Sequence, residues 1–188
     1  MNRCETVLLP AHVLAAVCDT KTPQGIAAVV RVHHTARLGK RLVALDGVQD
    51  PGNVGTILRT ADAAGFDGLL LSEQCADIFS PKVLRATMGS IFRMGVTLTP
   101  DLPGLLTHLR EQGYSVISSQ LDGTPFYQRE GVAAQFVLVI GNEGNGVSPV
   151  VQATATHRLK LPMRGGAESL NAAVAAGIMM YELTRELA

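Results

Sequence analysis

The chain has 188 residues, which is enough for one domain with a complete hydrophobic core. Hydrophobic residues make up 47% of it, aromatic residues only 4%, and Trp is missing, so the composition favours the aliphatic core that parallel strands form under helices. The formal net charge is zero, which is not the charge expected of a general nucleic-acid-binding protein.

Residues 1–35 differ from the rest of the chain. Their short apolar pieces are separated by turn residues and are too few to form a core. We interpret residues 1–35 as an N-terminal extension, the remnant or closing segment of something that packs before a main domain at 36–188. The basic run from Arg31 to Arg41 contains no acid and fits either a phosphate-contacting strip or a solvated linker.

From residue 41 onward, apolar strands alternate with helices. This alternation predicts an α/β fold, a parallel sheet with helices on both faces. The predicted strands cover 42–47, 68–72, 94–98, 114–119, 136–141 and 157–161. The predicted helices cover 54–64 and 103–113, with others beginning near 80, 148 and 168.

The last predicted helix is rich in Ala and Gly over its early turns. Side chains this small let other backbone approach closely, so we expect the helix to be buried. Ser169 and Asn171 would lie in its first turn, where free N–H groups and the helix dipole can hold a ligand. The competing interpretation is that Ser169 only caps the helix.

Ligands of open α/β sheets bind beyond the carboxyl ends of the strands. Three of the predicted strand ends are rich in Gly, Asn and Glu, namely 46–55, 141–146 and 162–171. These three loops are therefore the candidate site.

The first loop leads into a helix that carries Arg59. At 100° per residue, the apolar side chains share one face and Arg59 lies on the other side, one turn above Gly55. Gly55 would leave space for the guanidinium to meet a phosphate or a hydroxyl. The alternative is an exposed Arg59 paired with Asp62 three residues later.

The second loop, 141–146, has the order GxxGxG. This is neither the dinucleotide fingerprint nor a Walker loop, so NAD and ATP are poorly supported. Its glycines indicate either a tight turn or backbone pressed against a ligand. Glu143 in the middle has two interpretations, a group that binds substrate or holds the loop, and a solvent-facing carboxylate.

Several other chemistries are not supported. The three cysteines lack zinc spacing and predict reduced thiols in the cytoplasm. The histidines lack HExxH spacing, so no metal is predicted, and Ser169 lacks the GxSxG setting of a nucleophile. No apolar run approaches the roughly 18–20 residues that span a bilayer, so no membrane is predicted as a partner.

Taken together, the three loops resemble the SpoU (TrmH-like) RNA 2′-O-ribose methyltransferases of the SPOUT class. The resemblance rests on Asn53-x-Gly55-x-x-x-Arg59, on Gly141-Asn-Glu143-Gly, and on Leu161-Pro-Met followed by Glu168-Ser-Leu-Asn171. Each motif is weak alone, but all three in this order over residues 41–187 are highly specific.

The resemblance implies a C-terminal deep trefoil knot, which the general rule against knotted chains would not predict. It also implies S-adenosylmethionine as the methyl donor. The residues implied to line the cofactor site, mostly through backbone groups, are Ile140, Gly141, Leu161 and Leu170, with Leu121 and Met163 added from neighbouring loops.

The implied reaction is attack of a ribose 2′-hydroxyl of tRNA or rRNA on the donor methyl group. The hydroxyl must lose its proton as it attacks, and the resemblance assigns that task to Arg59, either as base or as a group that orients the hydroxyl and phosphate. Asn53, Glu143, Ser169 and Asn171 would position the ribose and shape the pocket. A homodimer is also implied.

The chain departs from many such relatives in its first 35 residues, which resemble only the end of the small RNA-binding domain that often precedes the knot. This keeps two alternatives open. One is a non-catalytic RNA-binding or assembly factor on the same fold, and the other is a small-molecule enzyme on an ordinary Rossmann-like sheet.

Overall fold

The computed structural model describes residues 5–18, 22–31 and 38–185. The chain divides into two compact units, Met1–His33 and His34–Ala188. The first unit holds helix α1 (Ala11–Val17), none of whose residues is buried. Most of the predicted basic run between Arg31 and Arg41 lies outside the described residues.

Within residues 38–185, six parallel strands form one sheet. In chain order they are β1 (Arg41–Asp46), β2 (Gly68–Ser72), β3 (Gly95–Thr99), β4 (Ser115–Pro125), β5 (Phe136–Gly141) and β6 (His157–Lys160). Across the sheet the order is β3-β2-β1-β5-β4-β6. Strands β1, β2 and β5 are buried along nearly their whole length, as their unbroken apolar runs predict.

Helices cover both faces of this sheet, which confirms the predicted α/β architecture. They are α2 (Pro51–Ala63), α3 (Pro81–Ala86), α4 (Leu102–Glu111), α5 (Pro149–Gln152) and α6 (Ala172–Thr184), with short 3-10 helices at Ser90–Phe92 and Phe126–Gln128. On one face, α2, α3 and α6 enclose the larger core through Leu58, Val83 and Met179. On the other face, α4 and α5 enclose a second core through Leu106 and Val151.

Helix α2 begins at Pro51, three residues before the predicted start at Val54. The Asp50 carboxylate caps the helix by accepting a hydrogen bond from the Asn53 N–H at 2.8 Å. Proline also suits the first helical position, where no intrahelical N–H bond is needed. The first candidate loop is therefore shorter than predicted, and Asn53 belongs to the first turn of the helix.

Helix α6 begins at Ala172 and not near Glu168. The Asn171 side chain caps it, because its Oδ1 accepts hydrogen bonds from the next free backbone N–H groups, at Ala173 (2.9 Å) and Val174 (3.2 Å). The prediction that Ser169 lies in the first turn or caps the helix is wrong, since Asn171 takes that role.

The predicted burial of α6 holds for only one of its faces. Ala173 and Ala176 are buried, and Gly177 packs against Thr60 of α2, so the small residues do allow close approach of two helices. The opposite face is apolar but exposed, and it consists of Val174, Ile178 and Tyr181.

The two helical glycines Gly55 and Gly177 should respond in opposite directions to replacement by Ala. A Cβ at Gly55 would overlap the Cβ of Ala86 and lie 2.9 Å from the Val83 carbonyl oxygen, so Gly55→Ala should destabilise the fold by about 1–3 kcal/mol. A Cβ at Gly177 would meet only the Thr60 methyl at 3.5 Å, so Gly177→Ala should stabilise it by up to about 1 kcal/mol through helix propensity.

Urea unfolding of the two variants measures both effects. Equal stabilisation by both substitutions would show that α2 and α3 are not packed at Gly55.

Candidate active site

The side chain of Asn53 joins the three candidate loops. Its Nδ2 donates to the Glu143 Oε1 at 2.9 Å, and its Oδ1 accepts from the Asn171 Nδ2 at 2.9 Å. Asn171 is at the same time the cap of α6. Asn53 itself is 9% exposed, so one largely buried amide connects the start of α2, the loop after β5 and the start of α6.

The topology explains why these residues meet. Strands β1 and β5 are parallel neighbours with Asp46 opposite Gly141, so the loops that follow them leave the sheet side by side. Helix α6 packs on the same face as α2, which brings Asn171 to the other side of Asn53. The prediction that the three loops share one edge of the sheet is confirmed by these contacts.

Glu143 holds the loop after β5 against the start of α2. In addition to Asn53, its carboxylate accepts hydrogen bonds from the backbone N–H groups of Gln49 and Asp50, each at 3.2 Å. Partial burial acts to raise the pKa of Glu143, but the hydrogen bonds from Asn53 and from backbone N–H groups outweigh it and lower the pKa below the ordinary 4.5. Glu143 remains exposed to solvent, but these hydrogen bonds show that its carboxylate holds the loop, which is part of the first of the two interpretations.

This lowered pKa predicts an acid-sensitive site. Because the folded-state pKa lies below the unfolded value, the stability that Glu143 contributes is fully present above pH 4.5 and is lost as the pH falls through the folded pKa. We expect Glu143→Gln to be less stable than wild type at neutral pH and the difference to vanish in acid. Urea unfolding as a function of pH measures it.

A matched control is Glu73→Gln, because Glu73 is exposed and its side chain makes no hydrogen bond to the described parts of the chain. A Glu143→Gln difference that stays constant from neutral to acid pH would contradict the assignment.

The loop after β5 is a tight turn, as the first of the two interpretations of its glycines predicts. The backbones of Asn142 and Gly146 exchange two hydrogen bonds of 2.9 Å, and the Asn142 side chain accepts from the Gly144 and Asn145 N–H groups. A Cβ at Gly141 would overlap the Gly146 carbonyl group and the Val147 nitrogen. The chain's own backbone therefore requires glycine at 141.

Arg59 is exposed on the outer side of α2 and makes no hydrogen bond or ion pair within the described ranges. The alternative pairing with Asp62 is wrong, because the Asp62 Oδ2 accepts from the Arg93 Nε at 2.9 Å, and this hydrogen bond lowers the pKa of Asp62. The space predicted above Gly55 is also absent, since Ala86 occupies it. The Arg59 guanidinium is thus free to meet a solute at the surface, about 1.7 helical turns after Asn53.

The predicted cofactor residues lie at the carboxyl ends of three adjacent strands. Ile140 and Gly141 end β5, and both are buried. Leu121 is exposed in β4, where Ser119 and Thr124 both pair with Leu159 and the residues between them bulge outward.

The remaining predicted cofactor residues follow β6. Leu161 packs against the main core, Met163 is half-buried, and Leu170 is 38% exposed. Ser169, predicted as a catalytic residue, is exposed in the same loop and makes no hydrogen bond to Asn53, Glu143 or any other described residue. The structure brings Asn53, Glu143 and Asn171 together but leaves Ser169 apart.

The loop between β6 and α6 has unused hydrogen-bonding capacity. Over residues 163–170, no backbone N–H or C=O group makes a hydrogen bond within the described chain. Most of this segment is exposed, so its backbone donors and acceptors are open to solvent and available to a ligand.

Sequence reasoning missed two residues that build this edge. Asp50 caps α2 and orients Asn53, and the Asp-Pro pair that it forms with Pro51 is a recognisable helix-start signal. Asp46 accepts from the Ser148 N–H at 2.7 Å and so ties the end of β1 to the start of α5, a contact between residues 102 positions apart that no local pattern indicates. Among the described residues, neither Asp46 nor Asp50 makes a hydrogen bond to Arg59.

The described part of the chain contains no cluster of three or more residues suited to a metal ion. No helix in that part is long and apolar enough to cross a membrane.

A comparison with known proteins identifies the family. Residues 40–181 match the model of the SpoU rRNA Methylase family. The chain belongs to this family. The match covers the whole sheet from β1 to β6 and most of α6, so all three candidate loops fall within it.

The names of individual relatives of this SpoU family member agree with the family assignment. The chain is 40% identical to the 23S rRNA (guanosine(2553)-2′-O)-methyltransferase RlmP of Bacillus subtilis, over 94% of this chain and 71% of that protein. It is 38% identical to a TrmH-family RNA methyltransferase structure from Porphyromonas gingivalis, with a TM-score of 0.81 over 92% of this chain and 71% of that one.

A third relative bears on the cofactor. The AdoMet-bound structure of an rRNA methyltransferase from Sinorhizobium meliloti is 37% identical, with a TM-score of 0.70 over 84% of this chain and 59% of that one.

Proposed function

We propose that the protein transfers a methyl group from S-adenosylmethionine to a ribose 2′-hydroxyl of rRNA or tRNA. The observation that carries the proposal is the Asn53 junction, which fixes the three family loops around one amide while Arg59 stays unpaired nearby. The names of the relatives, which describe RNA 2′-O-methyl transfer and a bound AdoMet, support the reaction and the cofactor.

The residues present fit S-adenosylmethionine. The open backbone of residues 163–170 offers unpaired N–H and C=O groups that an adenine ring and an amino-acid moiety can use. Leu121, in the irregular part of β4 that pairs with β6, and Leu170, in the loop after β6, are exposed apolar side chains that can cover an adenosine. When bound, the cofactor supplies an electrophilic methyl group on a positively charged sulfur.

Arg59 acts on the ribose. The 2′-oxygen forms its new bond to the methyl carbon as its proton leaves. Arg59 either takes up that proton as the neutral guanidine or, as the guanidinium, orients the hydroxyl toward an adjacent phosphate that accepts the proton. Asn53 and Glu143 do not need to touch the ribose for this, because their hydrogen bonds set the position of α2 and thereby of Arg59. Asn171 connects the same network to α6.

The test is methyl transfer from labelled S-adenosylmethionine to total rRNA and tRNA by the purified full chain. We expect incorporation in at least one fraction. The alternative of a non-catalytic RNA-binding or assembly factor predicts no incorporation and no heat of cofactor binding in calorimetry. Binding of NAD or ATP in place of S-adenosylmethionine would favour a small-molecule enzyme and would overturn the proposal.

We also propose the trefoil knot that the resemblance implies. Arg129, which follows the 3-10 helix between β4 and β5, donates to the Glu182 carbonyl at 3.1 Å and pairs with its carboxylate at 3.6 Å. The segment after β4 therefore lies against the last turns of α6, as a threaded C-terminus requires. A crystal structure should show the chain from β5 to α6 passing through the loop that the segment after β4 forms.

We further propose a homodimer that covers the exposed face of α6. Val174, Ile178 and Tyr181 lie at i, i+4 and i+7 on one stripe, and Tyr181 is 56% exposed. Tyr181→Arg should convert dimer to monomer in sedimentation velocity, whereas Val150→Arg, at an equally exposed apolar position on α5, should not. A monomeric wild-type protein would contradict the proposal.

Two predictions about organisation remain as proposals. Residues 1–35 are an N-terminal extension, the remnant of an RNA-binding domain or a linker from one, and residues 36–188 are the methyltransferase domain. A cytoplasmic location follows if the substrate is rRNA or tRNA.

A further inference from the structure

A second surface packs against α2 before and after the turn that carries Arg59. It comprises the segment 81–93, which contains α3 and the 3-10 helix after it, and we call it the α3 surface. Two contacts fix it to α2. Ala86 packs on Gly55 one turn before Arg59, and the Arg93 Nε donates to Asp62 one turn after it at 2.9 Å.

The distance between these two anchors is short. Gly55 and Asp62 are seven residues apart, which is about 10 Å along a helix at 1.5 Å per residue. Arg59 lies between them along α2, so the segment from Ala86 to Arg93 runs along the part of α2 that carries Arg59. The α3 surface therefore adjoins the turn of α2 on which Arg59 lies.

Two large apolar side chains project from this connection. Phe92 is 72% exposed and Met88 is 69% exposed. Two buried side chains fix the backbone around them. The Thr87 hydroxyl donates to the Leu84 carbonyl, and the Ser90 hydroxyl accepts from the Arg93 guanidinium. The exposure of Phe92 and Met88 is thus built into a fixed turn.

Met88 has a φ of 48°, the left-handed conformation that a side chain other than that of glycine rarely adopts. Gly89 follows it with a φ of 86°. Both positions therefore have a backbone conformation that glycine adopts without strain, yet position 88 holds Met. Strained backbone of this kind is kept where a side chain is needed in a particular place.

The charge of the α3 surface indicates which kind of molecule it binds. Residues 81–93 contain Lys82, Arg85 and Arg93 and no acidic residue, and the Arg93 guanidinium is paired with Asp62 of α2. Lys82 is exposed, and it precedes Ala86 by four residues on the helix, so it lies on the side of α3 that meets α2. An exposed aromatic ring and an exposed cation on one surface are the combination that binds single-stranded nucleic acid by stacking and by phosphate contact.

We infer that the α3 surface binds an unpaired base next to the methylated nucleotide, with Phe92 and Met88 stacking on that base and Lys82 contacting a phosphate. This inference rests on the proposed function for one point, that the substrate is RNA. It predicts a preference for target nucleotides in single-stranded loops, because in a duplex the faces of a base are covered by the bases stacked above and below it.

The test measures RNA affinity of the full chain, by fluorescence anisotropy, with a labelled single-stranded RNA and with the same sequence as a duplex. Phe92→Ala should weaken binding of the single strand about tenfold, the size of one lost base stack, and should leave duplex binding unchanged. Tyr127→Ala is the matched control, since Tyr127 is 55% exposed on the other 3-10 helix. Phe92→Tyr should restore affinity.

Three further variants separate stacking from a structural role. Met88→Gly should raise the unfolding temperature by relieving the positive φ and yet weaken single-strand binding. Lys82→Gln should reduce the slope of log affinity against log salt by about 0.7, the loss of one phosphate contact. Since the chain contains no Trp, Phe92→Trp gives one fluorescent reporter, which single-stranded RNA should quench.

The outcomes are distinguishable from failure of the proposed function. If the wild type binds RNA but transfers no methyl group, the proposed function fails while the Phe92 result still decides the inference. Equal weakening by Phe92→Ala and Tyr127→Ala, unquenched Phe92→Trp, or a change in oligomeric state on Phe92→Ala would overturn the inference, the last by showing that a second copy covers this surface.

Discussion

Arg59→Ala should lose methyl transfer by about 10²–10⁴-fold, the usual contribution of a group that handles a proton in the transition state. Its fold and its affinity for S-adenosylmethionine should be unchanged, because the Arg59 side chain is exposed and has no partner within the described ranges. Single-turnover transfer to rRNA, with calorimetry of cofactor binding alongside, measures both properties.

The Arg59→Lys variant separates the two roles proposed for the guanidinium. Lysine keeps the charge but loses the planar fork that holds a phosphate and a hydroxyl at once. If Arg59 orients these groups, Arg59→Lys should be nearly as impaired as Arg59→Ala at every pH. Full activity of Arg59→Ala would remove Arg59 from the mechanism.

Gly141→Ala should abolish cofactor binding and destabilise the fold by about 1–3 kcal/mol, the range of overpacked sites. The added methyl group would overlap the backbone of Gly146 and Val147, and backbone cannot move away as the end of a flexible side chain can. The turn after β5 would have to open, which displaces Glu143 from Asn53 and from the start of α2. Calorimetry and urea unfolding measure the two effects.

The control for Gly141→Ala lies in the same turn. At Gly144 an added Cβ would meet only the Asn142 Oδ1 at 3.5 Å, so Gly144→Ala should leave cofactor affinity and stability close to wild type. If the two variants behave alike, the close backbone crossing at Gly141 does not shape the site.

The sequence predicts the sheet well because its strands are buried on both faces and therefore read as unbroken apolar runs, as β2 and β5 do. It also predicts which loops meet, since parallel strands place their carboxyl ends at one edge. Helix starts were predictable in principle. The Asp50-Pro51 pair and the cap at Asn171 are local signals.

What could not be predicted depends on contacts between distant parts of the chain. Helical spacing places Arg59 above Gly55, but only the packing of α3 shows that Ala86 occupies the space. Spacing likewise suggests a pair between Arg59 and Asp62, whereas Arg93, 31 residues from Asp62, takes that carboxylate. Sequence placed Asn53 in the loop before α2, whereas it lies in the first turn of that helix, and its two side-chain partners lie 90 and 118 residues away.

The chemical position of the transferred methyl group is the most direct test of the central claim. RNA labelled by the full chain with S-adenosylmethionine is digested to nucleosides and separated by mass. We predict that all label is found in 2′-O-methylribose nucleosides and that Arg59→Ala lowers the rate of labelling by at least about a hundredfold. Label on a base, or labelling by Arg59→Ala at the wild-type rate, would contradict this mechanism.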